Sequence, residues 1–251
     1  MRLIVHGAAG RMGIQVIEAA KRNGHTVVAA VDYVYNDSHP DAPYPCLGTL
    51  DACREDADCI IDFSNHACTK PLLAYACAHK LPVMLATTGQ NDDENAAIAE
   101  AAKEIPIFRA ANMSLGIATL CSLVRTAVCM FPDADIEIVE KHHNQKLDVP
   151  SGTALALADV VRSVRENAKF VIGRHENGKR AHEEVGIHSL RLGSVVGEHE
   201  VIICTGNETL TLKHEAHSRA VFADGAVLAA SFLAGQGAGI YTMEDLVATC
   251  R

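Results

Sequence analysis

His142, His143 and Lys146 stand close together in a polar run that ends in Pro150-Ser151-Gly152-Thr153. An imidazole donates or accepts a proton near neutral pH, and a lysine ammonium binds an anion or protonates it. The chemistry open to this set is capture of an anionic substrate and proton transfer to it. Ser151 suits a helix N-cap, which puts Gly152 and Thr153 in the first turn, where free N–H groups and the Thr153 hydroxyl form a carboxylate receptor. Adjacent histidines also suggest a metal site. Neighbours along a strand point to opposite faces, however, and neither a nearby cysteine nor an HxxxH partner accompanies this pair, so no metal is expected. On spacing alone, a solvated basic loop is the plain alternative.

A second group has a different chemistry. Gly7-Ala8-Ala9-Gly10-Arg11-Met12-Gly13 lies between the first apolar run and the first helical pattern. Glycines there let the backbone turn sharply and approach a pyrophosphate, and the helix start turns its N–H groups toward the phosphates. Asp32 ends the next apolar run, about 20 residues on, where a carboxylate accepts hydrogen bonds from ribose hydroxyls. The same carboxylate repels a 2′-phosphate, and Tyr33 follows it rather than an arginine. NADH is therefore the preferred cofactor expected, with NADPH possible. Ala86-Thr87-Thr88-Gly89 and Ala110-Ala111-Asn112-Met113-Ser114 follow later strands, at the carboxyl ends where an open α/β sheet forms its ligand crevice. Their small residues leave room for a nicotinamide ring, and Asn112 can hydrogen-bond its carboxamide.

These groups need elements to hold them. Apolar runs over residues 3–7, 25–31, 59–63, 82–86 and 106–110 predict strands, and helical spacing over 10–21, 67–79 and 92–105 predicts the helices between them. That alternation implies a Rossmann-like doubly wound parallel sheet. Residues 33–48, with three prolines, predict a loop. After Asn112 the rhythm changes. A helix over 115–130 leads to a strand over 136–140, with His142 and His143 just past it. Alternating segments recur at 188–192, 200–204 and 209–212, with turn chemistry at Gly206-Asn207. These segments predict a second, α+β domain on a mixed or antiparallel sheet, and residues 225–235 predict an apolar helix.

Bulk properties narrow the partners. The formal net charge of −9 argues against nucleic acid and anionic membranes. No stretch reaches the roughly 18 apolar residues of a membrane span, and the start of the chain does not read as a secretion signal, so a soluble cytoplasmic protein is expected. Nine cysteines, at 46, 53, 59, 68, 77, 121, 129, 204 and 250, include no CxxC pair and read as small buried hydrophobes.

Residues 137–154, Glu-Ile-Val-Glu-Lys-His-His-Asn-Gln-Lys-Leu-Asp-Val-Pro-Ser-Gly-Thr-Ala, resemble the signature of bacterial dihydrodipicolinate reductases, also called 4-hydroxy-tetrahydrodipicolinate reductases. The resemblance extends through the glycine turn, Thr87-Thr88-Gly89, Ala110-Ala111-Asn112-Met113-Ser114, Val196-Gly197-Glu198-His199 and Ser218-Arg219-Ala220. It implies reduction of a small cyclic dicarboxylate by NADH or NADPH in diaminopimelate and lysine biosynthesis. It implies His142 as general acid, Lys146 as proton donor or carboxylate ligand, and His143, Ser151, Gly152 and Thr153 around the substrate. Arg219 would orient His143 or the substrate, or serve in a domain-packing salt bridge. The resemblance further implies a nucleotide domain over 1–113 and 218–251, a substrate and assembly domain over 114–217, and a homotetramer. Three positions depart from the family pattern: Ala86 where glycine is usual, Val149 where alanine is usual, and Tyr33 where some members have arginine. Two alternatives are another two-domain amino-acid dehydrogenase, which should carry a different chemical loop, and a non-enzymatic dinucleotide sensor. A sensor would need a recognition element that this acidic chain lacks.

Overall fold

The computed structural model describes residues 1–35 and 42–249. Its elements run β1 (Arg2–His6), α1 (Arg11–Arg22), β2 (Thr26–Val31), β3 (Cys46–Leu47), β4 (Cys59–Asp62), α2 (Thr69–His79), β5 (Val83–Leu85), α3 (Asp92–Ala101), β6 (Pro106–Arg109) and α4 (Leu115–Met130). There follow β7 (Asp135–His142), α5 (Gly152–Val164), β8 (Lys169–Ile172), β9 (Glu184–Arg191), β10 (Gly197–Cys204), β11 (Thr209–Ala216), α6 (Ala220–Leu233), β12 (Gly239–Tyr241) and α7 (Met243–Ala248). Two compact units result, one of Met1–Leu115 with Arg219–Arg251 and one of Gly116–Ser218.

The first unit is a seven-stranded sheet in the order β12-β6-β5-β4-β1-β2-β3, with every pair parallel. Its central strands are apolar throughout because helices cover both faces, as parallel sheets require. Ile4, Ile60, Val83, Leu85 and Ile107 join Leu72 and Leu73 of α2 and Ile98 of α3 in one core cluster. Helix α6 packs on α1 and meets β4 and β5. Its Gly225 lets it approach the Met113 carbonyl, which a Cβ would overlap.

The second unit is a mixed sheet in the order β11-β10-β7-β9-β8. Its β7–β9 and β8–β9 pairs are parallel, and its β7–β10 and β10–β11 pairs antiparallel. Ile136, Ile138, Val185, Ile187, Val201 and Ile203 bury one face with Leu120 and Val124 of α4 and Leu157 and Val161 of α5. Along β7 the inward positions are Ile136, Ile138, Glu140 and His142, so two polar residues continue the core-facing stripe.

Several expectations change. The nucleotide-type sheet has seven strands rather than five because β3 and β12 add short edges. Residues 46–47, expected in a loop, form β3 beside Ala30 and Val31, while 36–41 of that loop lie outside the described residues. Strand β7 extends through His142, so that histidine is a strand residue and only His143 lies beyond it. Cys46, Cys53, Cys59, Cys68, Cys77, Cys121, Cys129 and Cys204 are free, and Cys250 lies outside the described residues. Among the described residues no helix is long and apolar enough to cross a membrane.

Alanine is the better helix former by about 0.5–1 kcal/mol, so Gly225→Ala on an open helix would stabilise. At the Met113 contact, overpacking of about 1–3 kcal/mol outweighs that gain, and urea unfolding is expected to show a net loss. An unchanged or raised midpoint would disprove the close approach.

Candidate active site

The glycine turn is built by its own hydrogen bonds. Gly7 and Ala8 donate to Val31 O at 2.9 and 3.2 Å, and Gly10 donates to Gly7 O at 3.1 Å. Gly7 has φ +77°, and a Cβ on it would sit 2.5 Å from Phe63 O. On Gly13 a Cβ would overlap Gly7 O and Ala8 Cα, so the first turn of α1 lies directly on the loop. Gly10 caps α1 with no side-chain hydrogen bond. The first-turn N–H groups, which a helix cannot satisfy internally, thus have no capping side chain over them. Asp32 is buried at the end of β2 and accepts from Ala9 N–H at 3.0 Å and Val34 N–H at 3.3 Å. Tyr33 beside it is 88% exposed.

A cleft of about 510 Å³ opens from this turn, with His6, Gly10, Asp32, Tyr33, Leu50 and Pro71 among its walls. A hollow of about 210 Å³ is lined by Met12, Phe63, Ala86, Asn112, Met113 and Phe222. The larger volume is of the size that ligand clefts have. The glycines, open helix start and strand-end carboxylate fit a dinucleotide. Sequence reasoning missed one buried group here. Asp62, 1% exposed at the end of β4, meets His6 Nδ1 at 2.7 Å and accepts from Ser64 Oγ and Thr87 Oγ1, both at 2.6 Å. Thr87, expected at the cofactor, thus turns its hydroxyl inward, while Thr88 is exposed. Asn112 is half-buried, and its Oδ1 accepts from Ser114 N–H at 2.9 Å.

In the second unit the chemistry centres on Glu140, whose side chain is 0% exposed. His142 donates from Nδ1 to Glu140 Oε2 at 2.6 Å. Arg191 donates to both carboxylate oxygens at 2.8 Å, and Ser151 N–H reaches Oε1 at 3.1 Å. Burial alone would raise the Glu140 carboxyl, but these donors outweigh it and hold it down at about 2. It is therefore ionised, which makes Nδ1 of His142 the proton-bearing nitrogen. Burial lowers the His142 pKa below its ordinary value, against the opposing pull of Glu140. Nε2 of His142 faces Gly197, on which a Cβ would stand 3.0 Å away. His199 lies edge-on to His142, with ring centroids 5.2 Å apart. Its Nε2 is 3.1 Å from Ser151 Oγ. Burial and then the His142 charge bring His199 down to about 4.

The loop beyond β7 carries the anion-binding groups. Lys146 Nζ is 2.8 Å from Asp148 Oδ1. That contact, helped by the Gly152 amide, holds the Asp148 carboxyl below its ordinary range. The start of α5 thus already receives one carboxylate. Gly152 is exposed and Thr153 half-exposed in its first turn, and His143 is half-exposed on the loop. Ser151 is the N-cap that its type and position predict. It is 2% exposed, and its hydroxyl accepts from Ala154 N–H as the N-cap, so it supports the receptor from inside.

His142, His143, Lys146, Ser151, Gly152 and Thr153 are thus gathered in the second unit, and the expected cofactor residues in the first. Arg219 is exposed at the N-cap of α6, in the first unit. Glu140, Arg191 and His199 were not singled out by residue type. The signal for Glu140 was its parity with Ile136 and Ile138 on β7. Among the described residues no three His, Cys, Asp or Glu side chains cluster as metal ligands.

Comparison with known proteins gives concordant findings. Residues 1–113 match the family described as dihydrodipicolinate reductase, N-terminus, and residues 116–247 match dihydrodipicolinate reductase, C-terminus. The chain is 49% identical over 250 residues to the 4-hydroxy-tetrahydrodipicolinate reductase of Caldanaerobacter subterraneus subsp. tengcongensis, covering 98% of each. It is 40% identical over 249 residues to that of Clostridium novyi, again covering 98% of each. Among solved structures, the dipicolinate-bound dihydrodipicolinate reductase from Paenisporosarcina sp. TG-14 superposes with a TM-score of 0.83 at 22% identity, over 98% of this chain and 99% of that one. An Agrobacterium radiobacter oxidoreductase in complex with NAD+, L-tartaric acid and magnesium shares the fold at TM-score 0.61 and 10% identity, over 99% and 93%.

The buried His199 gives the fold an acid limb. Its pKa falls from 6.5 to about 4 on folding, so the unfolded chain takes up the proton first as pH drops. Stability is then full above 6.5 and declines between 6.5 and about 4, by at most about 1.4 kcal/mol per pH unit from this group. Urea unfolding of His199→Gln is expected to show a shallower decline over that window than the parent. Equal slopes would exclude a buried neutral His199.

Proposed function

The chain belongs to the dihydrodipicolinate reductase family and is an NAD(P)H-dependent reductase of diaminopimelate and lysine biosynthesis, and on that premise we propose that His142 and Lys146 are its proton-handling pair. The nicotinamide, when bound, would supply the hydride; 4-hydroxy-tetrahydrodipicolinate gives up its hydroxyl as water, and the hydride with one proton makes tetrahydrodipicolinate. The residues of the chain do the rest. The observation that carries the reading is the buried Glu140–His142 pair, in which Glu140 takes Nδ1 and leaves Nε2 toward the glycine at 197. When the ring takes up a second proton, Nε2 carries it and is the atom from which it leaves for the substrate carbon made electron-rich by hydride addition, which is general acid catalysis by an oriented imidazolium.

Lys146, Gly152, Thr153 and His143 hold the substrate carboxylates. The internal carboxylate of Asp148 supports this, because Lys146 and the Gly152 amide already bind it. The dipicolinate bound to the Paenisporosarcina enzyme is a dicarboxylate of the same kind. Arg219 completes the substrate-binding set.

On the cofactor side, the turn from Gly7 through Ala8, Ala9, Gly10, Arg11, Met12 and Gly13 holds the pyrophosphate. Asp32 and Tyr33 hold the adenosine ribose, and residues 86–88 and 110–113 hold the nicotinamide. The nucleotide domain spans 1–113 and 218–251, and the substrate domain 114–217. Leu190, Leu210 and Ile172, apolar yet exposed in the second unit, support assembly through its sheet into a homotetramer.

His142→Ala and Lys146→Ala are each expected to lower kcat by about 10² or more. Near-normal turnover in both variants would overturn the assignment. The Asp32 carboxylate and the lack of a cation at Tyr33 favour NADH, and the ratio of kcat/KM for NADH over NADPH is expected to exceed about tenfold, or about 1.4 kcal/mol. A lower KM for NADPH than for NADH would refute it.

A further inference from the structure

Arg191 is the last residue of β9 and lies in register beside His142 on the parallel neighbour β7. Its guanidinium has two arms. One is the pair of 2.8 Å bonds to Glu140, from Nη1 to Oε2 and from Nη2 to Oε1. The other is a 2.8 Å bond from Nη2 to the backbone carbonyl of Asp148. Each arm ends on a proton-handling residue through one intermediary. Glu140 holds His142 at 2.6 Å, and Asp148 holds Lys146 at 2.8 Å. The same carboxylate also receives Ser151 N–H, at the start of the anion-binding helix.

We infer that Arg191 is a positioning residue that sets His142 and Lys146 relative to each other by bracing Glu140 and the Asp148 backbone with a single rigid group. A guanidinium suits this task because its planar fork makes several directed bonds at once, whereas an ammonium is a single point charge. Without it, Glu140 loses both guanidinium donors while still buried. The His142 ring then no longer has one fixed acceptor, so the proton can rest on either nitrogen. The loop carrying Lys146 loses its tie to the sheet at the same step. Arg191 touches neither His142 nor Lys146 by hydrogen bond, so its effect on turnover is indirect.

The inference rests on the assignment of His142 and Lys146 above, and its test separates the two. Nitrogen-15 NMR of the His142 ring in the full-length protein, above its titration, reads the tautomer without any turnover. In the parent the proton is expected on Nδ1. In Arg191→Met the Nε2–H form is expected to appear, and kcat is expected to fall about tenfold or more, part of what a general acid contributes. KM for NADH should stay within about twofold, since a lost tautomer alters proton transfer rather than cofactor capture. Arg191→Lys keeps the charge, serves one arm only, and is expected to fall between the two; it also decides the matter if the methionine variant does not fold. A parent-like tautomer with parent-like kcat in either folded variant overturns the inference. An altered tautomer with unchanged kcat overturns the role of His142 as acid, and the inference with it.

Discussion

An ionised carboxylate with no exposed surface is the constraint around which the second unit is arranged. Moving a charge out of water is tolerated only when it is fully partnered, and removing one partner of such a group is far more damaging than never burying it. Glu140 meets the condition with donors from three places in the chain: Arg191 on β9, His142 on its own strand, and the Ser151 amide at the start of α5. These partners coincide only if β7 and β9 keep their register, with Glu140 beside Ser189 and His142 beside Arg191. A one-residue slip would turn every inward side chain outward. The polar pair at the end of the apolar stripe therefore enforces the register that also creates the site.

The first unit solves a related problem differently. Asp62 is buried at the carboxyl end of β4 and fixed by His6, Ser64 and Thr87, so the end of β1 and the loops after β4 and β5 are tied together at one point. The approach to a dinucleotide, however, is made by missing atoms. Gly7 and Gly13 touch backbone where any Cβ would collide, and the helix start is left without a capping side chain. Backbone amides bind a phosphate at fixed geometry without titrating, which suits a cofactor site. Side chains with adjustable protonation are concentrated in the second unit, where the proposed proton transfer takes place.

Legibility in the sequence followed the locality of the signal. The long strands of the first sheet were readable because both faces are covered, leaving apolar runs such as residues 3–5 and 59–61 punctuated by glycine and polar turns. Edge strands β3 and β12 are two and three residues long and carry no such pattern. In the second unit, β8 has only half-buried and exposed positions, which look like loop. Residue type alone singled out His142, His143 and Lys146. It did not reveal direction: the Thr87 hydroxyl suits a ligand, yet it faces inward onto Asp62. Nor did it find Arg191, because pairing between β7 and β9 joins segments about 50 residues apart, and only the fold makes an arginine on one the brace of a glutamate on the other.

The low affinity of free His142 for a proton looks at first like a poor property for an acid. Burial pulls its pKa down, Glu140 pulls it up, and the positive charges of Lys146 and Arg191 add to the downward side. The missing contribution is the substrate's own charge. A dicarboxylate placed, as proposed, against Lys146 and the start of α5 brings two negative charges to a site where the exposed carboxylate of Asp148 is otherwise spent on Lys146. Opposite charge within about 4–6 Å favours the protonated imidazole. On the roles proposed for His142 and Lys146, binding raises the pKa of the donor that the reaction then uses, and a neutral analogue of the same shape would not. Glu140 is necessary for this but cannot achieve it alone, because its charge is already shared with Arg191. Selectivity for a doubly charged substrate and readiness of the acid are, on this geometry, one electrostatic property.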